Sequence, residues 1–118
     1  MYFYQKIELA ENPNTPLKTL EILATDHDWR VRDGVASNPS TSSKILEFLA
    51  TDEDWCVRYE VAENPNTSSK TLESLATDTD FYIRSEVAYN PNSTELARRL
   101  VLMTNNRSVS KLSQCSSN

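Results

Sequence analysis

Three aspartates, Asp26, Asp52 and Asp78, are each followed six residues later by an arginine, Arg32, Arg58 and Arg84. A carboxylate held beside a permanent cation can tune a proton transfer or stabilise charge developing in a transition state. A catalytic centre gathers unlike groups at one point, however, whereas this pair recurs at a fixed step of 26 residues. Such recurrence points instead to ties between successive units, made by charge-assisted hydrogen bonds. Asp28, Asp54 and Asp80 keep the same step and stand where helix N-caps are needed. His27, the only histidine, occupies a position held in the other copies by Glu53 and Thr79, which predicts an exposed loop residue. One histidine cannot build a His-rich metal centre or a paired-histidine hydrolase site. Cys56 and Cys115 lack metal-ligand spacing and read as free thiols. No Gly-x-Ser-x-Gly elbow is present, and the single glycine leaves no phosphate-cradling loop. The expectation is a chain with no catalytic residue, no metal and no cofactor, and so not an enzyme.

The elements that carry these residues follow from the same period. Asn-Pro recurs at Asn12, Asn38, Asn64 and Asn90, Ala-Thr-Asp at Ala24, Ala50 and Ala76, and an aromatic at Trp29, Trp55 and Phe81. A period of this length marks stacked supersecondary units, none of which buries its apolar face alone. Within residues 38–63, Thr41 or Ser42 can cap a first helix whose Ile45, Leu46, Leu49 and Ala50 share one side. In the preceding copy Pro16 suits the first helical position. Asp54 opens a second helix with Val57, Val61 and Ala62 inward and Trp55 entering the core at its first turn. On that reading Trp55→Ala costs about 3–5 kcal/mol. The second helix is short enough for 3₁₀ character. Pro65 stops it, because a residue before proline leaves the α region, and Asn64 tolerates a left-handed C-cap. Gly34, in the place of Glu60 and Glu86, marks the weakest second helix, at about 0.5–1 kcal/mol.

No segment alternates with period two, so the fold class expected is all-α: an α-solenoid of about three and a half two-helix repeats. The domain covers residues 1–103, with a half-repeat at 1–11, repeats at 12–37, 38–63 and 64–89, and a degenerate cap at 90–103. Residues 104–118 are Ser- and Asn-rich and too poor in apolar side chains to repay ordering, so a flexible tail is expected there.

The run from Asp52 to Thr67, with Asp-Trp, Val-Arg, Val-Ala and Asn-Pro-Asn-Thr in order, resembles the leucine-rich repeat variant family over about residues 1–92. That resemblance implies an α-helix paired with a short second helix, often 3₁₀, in each unit, and stacking into a right-handed superhelix without strands. The Asp54 to Arg58 core is also similar to HEAT repeats, whose units are longer. Some relatives carry a cysteine-rich iron–sulfur segment, and those cysteines are not in this sequence. The His-Glu pairs of HEAT-like metal hydroxylases are also absent. HEAT-like DNA glycosylases need a basic concave surface.

Residues 1–94 hold sixteen acids and eight bases within a chain of net charge −5. An acidic body repels phosphate backbones, so nucleic acid is not the expected partner. Met1 to Glu11 has no apolar stretch of signal-peptide length, and no later segment approaches about 18 apolar residues, so a cytoplasmic protein without membrane contact is expected. Comparing copies then separates scaffold from free positions. Tyr4, Arg30, Cys56 and Tyr82 form one variable row, Ile7, Asp33, Tyr59 and Ser85 a second, and Glu11, Ser37, Glu63 and Tyr89 a third. Spacing of i, i+3 and i+7 puts them on one helix face, flanked by Glu8, Glu60 and Glu86. Tyr59, Tyr82, Tyr89, Glu60, Glu63, Glu86, Arg30 and Asp33 are the partner-binding candidates, suited to a basic or amphipathic protein or peptide. The bland alternative is a face left free to vary, with tyrosines lying over the core. The competing class is a self-associating module, in which Phe3, Ile7 and Leu9 of the half-repeat are uncovered and pair end to end. A weaker third reading is acidic mimicry of nucleic acid.

Overall fold

Small polar side chains placed just ahead of apolar runs set where the helices begin. The structure, a computed structural model, describes the backbone of residues 1–116 and the side chains of residues 1–106. Among the described residues there are eight α-helices and no strand. They are α1 (Phe3–Glu11), α2 (Leu17–Leu23), α3 (Trp29–Ser37), α4 (Ser43–Leu49), α5 (Trp55–Glu63), α6 (Ser69–Leu75), α7 (Phe81–Tyr89) and α8 (Glu95–Ser116). Asp28, Asp54 and Asp80 accept hydrogen bonds from the N–H groups of Arg30, Cys56 and Tyr82 at 2.9, 2.9 and 2.8 Å, satisfying donors that the first turn orphans. Ser42 and Ser68 cap α4 and α6. Thr41 is not the cap: its hydroxyl donates to the Val35 carbonyl at 2.7 Å. Pro16 sits one residue outside α2, at its N-cap position.

The helix expected to be short and partly 3₁₀ is the longer of each pair. α3, α5 and α7 are nine-residue α-helices, whereas α2, α4 and α6 have seven residues. The odd-numbered helices lie side by side, α1 on α3, α3 on α5 and α5 on α7, α8 continues the row on α7, and α2, α4 and α6 pack against their flanks. This packing is consistent with an α-helical repeat, and the molecule measures 54 × 30 × 16 Å. The core runs in rows at the repeat interval: Leu20, Leu46 and Leu72; Val31, Val57 and Ile83; Val35, Val61 and Val87; Ala10, Ala36 and Ala62. Each fully buried large side chain contributes on the order of 1.5–3 kcal/mol. Phe3, Ile7 and Leu9, expected to be uncovered, are partly buried against this core.

The Asn-Pro pairs end helices by a different means from a left-handed cap. Asn38, Asn64 and Asn90 are extended, with φ near −70° and ψ near 125°, and no described residue has positive φ. Each is buried and aims its amide into the preceding repeat. Asn64 Nδ2 donates to the carbonyls of Ala36 (2.8 Å) and Asn38 (3.0 Å), and its Oδ1 accepts from Asn66 N–H at 2.9 Å. Asn38 does the same toward Ala10 and Asn12, and Asn90 toward Ala62 and Asn64. The alanine carbonyls belong to the last turn of α1, α3 and α5, where no intrahelical partner exists. One side-chain amide therefore closes a helix and joins two repeats.

Gly34 also has a role beyond weakening α3. A Cβ there would lie 2.9 Å from the Ala10 Cβ, so its absence lets α1 and α3 come close. α8 continues past Thr104 rather than breaking there. Arg84, 4% exposed, donates from Nε to the Asn105 side chain at 2.9 Å, so the ordered body extends beyond the expected boundary. The tail side chains from residue 107 onward, and residues 117–118 altogether, lie outside the described residues. Asn105→Ala strands a buried guanidinium N–H and is expected to lower unfolding free energy by about 1.5–3 kcal/mol. Urea melts check this, with the exposed Asn106→Ala expected to be neutral.

Candidate functional site

The Asp–Arg rows are engaged with each other. Arg32 Nε and Nη2 donate to Asp52 at 2.7 and 3.1 Å, and Arg58 to Asp78 at 2.9 and 3.4 Å. The third guanidinium nitrogen of Arg32, Arg58 and Arg84 donates to the carbonyl of Asp26, Asp52 and Asp78, respectively. Lys6 begins the ladder on Asp26 at 2.9 Å, and Asn105 ends it on Arg84. The hydrogen bonds from Lys6 and the Asp28 N–H hold the Asp26 carboxyl below its usual range. Arg30 holds Asp28 down at about 2. The Arg32–Asp52 and Arg58–Asp78 pairs are ties between repeats, as their recurrence predicts, whereas Arg30–Asp28 stays within one helix start.

The unpaired charge lies elsewhere, beside the aromatic row. Trp29, Trp55 and Phe81 are 41%, 52% and 53% exposed, so the expectation that they enter the core is corrected. The reason is angular. The core residues Val31, Val57 and Ile83 stand two residues after each aromatic, about 200° around the helix, whereas Asp33, Tyr59 and Ser85 follow at i+4, one turn along the same face. Each aromatic is also the first residue of its helix, where Cβ points back beyond the helix start rather than down onto the core.

Trp29, Asp33, Trp55, Cys56, Tyr59, Glu60 and Tyr82 line an open groove of about 560 Å³ across α3, α5 and the start of α7. Half-burial, then the nearby charges of Asp54 and Glu11, push Asp33 up to about 6. Half-burial, then Asp33, Glu63 and Glu86, push Glu60 up to about 7. The Tyr59 hydroxyl donates to Glu86 at 3.2 Å. Glu63 first, then burial and Glu86, raise its pKa far above the usual phenol range, so it stays a donor. Burial followed by Asp54 pushes the Cys56 thiol up, which argues against a reactive thiolate.

Of the eight candidates, Asp33, Tyr59, Glu60 and Tyr82 line this groove, and Glu63 and Glu86 flank the Tyr59 hydroxyl. Arg30 and Tyr89 do not line it. Arg30 covers the Phe3 ring at 4.3 Å from its centroid and forks onto Asp28. Tyr89 is 83% exposed at the last residue of α7. Trp29, Trp55 and Cys56 are groove residues that the candidate set missed. The i+4 relation of Trp29 to Asp33 and of Trp55 to Tyr59 was the available signal.

The arrangement presents aromatic faces beside carboxylates that lack a cation. Among the described residues neither Asp33 nor Glu60 has an ion-pair partner, and no group of three His, Cys, Asp or Glu residues could hold a metal. No described helix is long and apolar enough to cross a membrane. No protein-family model, curated protein or solved structure matches this chain.

Proposed function

We propose that this chain is a right-handed α-solenoid of the leucine-rich repeat variant type, about three and a half units long, and a non-catalytic scaffold that binds a basic segment of another protein. The groove bordered by Trp29, Trp55, Tyr59 and Tyr82, with Asp33 and Glu60 within it, is the observation that carries the binding reading. Exposed indoles give a partner large rigid contact area. Ionised carboxylates in a half-buried site gain most from an incoming cation. The 26-residue register of helices, core rows and asparagine bonds supports the stacked architecture.

The test is a titration of the full chain with a lysine/arginine-rich peptide and a Glu-rich control of the same length, followed by indole fluorescence. Only the basic peptide is expected to bind. Trp55→Ala is expected to weaken it at least about tenfold, the size of a hot-spot loss. Because the ring is half exposed, that variant is expected to keep its thermal midpoint within a few degrees, not to show a core deletion. Equal affinity for both peptides, or unchanged binding by Trp55→Ala, would contradict the reading.

A second reading is end-to-end self-association through the half-repeat. A cavity of about 340 Å³ bordered by Met1, Gln5, Glu8, Leu9 and Asn12 supports it. Sedimentation across a hundredfold concentration range decides it, since a constant monomer mass removes this option.

A further inference from the structure

We infer that the groove takes an arginine side chain of its partner, seated on the Trp29 ring beside Asp54. This rests on the basic-segment reading above and names the group that would be recognised.

The chain contains its own template for this contact one repeat earlier. There Arg30 lies over the Phe3 ring, 4.3 Å from its centroid, and donates from Nε and Nη2 to Asp28 at 3.0 and 2.8 Å. Adding 26 to each number converts Phe3, Asp28 and Arg30 into Trp29, Asp54 and Cys56. The aromatic platform and the carboxylate are both kept, but the cation is gone. Cys56 is far shorter than arginine, and the groove opens along it and Trp29. Asp54 still caps α5 through the Cys56 N–H at 2.9 Å, and it has no ion pair among the described residues. Asp33 and Glu60, which line the groove itself, are two carboxylates with no ion-pair partner among the described residues.

The chemistry favours guanidinium over ammonium. A planar, weakly hydrated guanidinium stacks flat on an indole while its N–H fork meets a carboxylate, whereas a lysine ammonium is a compact and strongly hydrated point charge. Trp is also a better cation platform than the phenylalanine that Arg30 covers. The groove is open rather than cage-like, which suits a flat stacked group.

The experiment titrates wild type with blocked Gly-Arg-Gly-Arg-Gly and Gly-Lys-Gly-Lys-Gly at pH 8 and low salt, following indole fluorescence. The arginine peptide is expected to bind about fivefold or more tightly than the lysine peptide. Cys56→Arg supplies a guanidinium from within, as Arg30 does over Phe3. It is expected to lose about tenfold or more in arginine-peptide affinity while its thermal midpoint stays at or above that of wild type. Ile22→Ser, on the exposed surface of α2 and outside the groove, is expected to bind as wild type. Trp29→Leu, which keeps a side chain on that half-exposed surface, is expected to erase the arginine preference, and it serves if Cys56→Arg folds poorly. Equal affinities for the two peptides, or full binding by Cys56→Arg, would overturn the arginine assignment and leave the basic-segment reading intact. Binding of neither peptide would remove both.

Discussion

Asn64→Asp is expected to lower unfolding free energy by about 3–5 kcal/mol, although it exchanges one NH₂ group for one oxygen. The wild-type amide donates to the carbonyls of Ala36 and Asn38 at 2.8 and 3.0 Å, and Asn64 is buried. Aspartate keeps the size and the acceptor that receives Asn66 N–H. It has nothing to donate, so an oxygen faces two carbonyl oxygens and a charge is left without a cation. Asn64→Ala removes the donors without adding charge and is expected to cost less, about 2–4 kcal/mol. In a stacked array each unit is held by its neighbours, so breaking the middle joint is expected to broaden the urea transition as the halves uncouple. An Asp variant no worse than the Ala variant would show that the amide does not join the repeats. Asn12→Asp is the control, since Asn12 is exposed.

The second large effect is a pair of opposite pH dependences. In the folded free protein Asp33 and Glu60 hold their protons up to about 6 and about 7, against 3.8 and 4.5 for the unperturbed groups. Folded protein therefore binds more protons than unfolded chain across this window, so stability falls as pH rises from about 4 and levels off above about 7. Asp26 and Asp28 are shifted the other way, Asp28 to about 2, so their contribution is lost only as pH drops below about 4. A stability maximum near pH 4 is expected. Glu60→Gln flattens the upper limb and is expected to gain about 1–2 kcal/mol at pH 8, after allowance for solvent screening of a half-buried group. Affinity for a basic peptide runs in the reverse direction, because only the ionised carboxylates attract it. Between pH 8 and pH 5.5 it is expected to fall about ten- to thirtyfold, and by less in Glu60→Gln. Thermal melts and peptide titrations at matched ionic strength check both limbs. A stability that rises from pH 5 to 8 would contradict the groove's electrostatics.

Much of this framework is legible without coordinates, for reasons that particular residues make plain. Caps such as Asp54 act two residues away, and ties such as Arg58 to Asp78 join residues twenty apart, so the 26-residue step exposes both. What hid was information carried by backbone or by angle. The asparagine amides bond to main-chain carbonyls 26 and 28 residues away, and carbonyls leave no mark in a side-chain pattern. Asn-Pro thus reads only as a stop. Gly34 reads as a weak point because its neighbour, Ala10, lies in another helix. Trp55 reads as core because large aromatics usually are, although its i+4 partner is the variable Tyr59 and its angle to Val57 turns it outward. Placing Trp29 and Trp55 in the core concealed two walls of the groove, while Tyr59, Tyr82 and its carboxylates were already in view.

The central claim, that the exposed face of α3, α5 and α7 receives a cationic segment, is tested most directly by amide and indole chemical-shift mapping. The isotope-labelled chain would be titrated with the arginine-containing peptide at pH 8. The account predicts saturable shifts centred on Trp29, Asp33, Cys56, Tyr59 and Glu60, with the exposed Ile22 and Phe48 on α2 and α4 silent. Shifts centred on Ile22 and Phe48, or none that saturate, would contradict it.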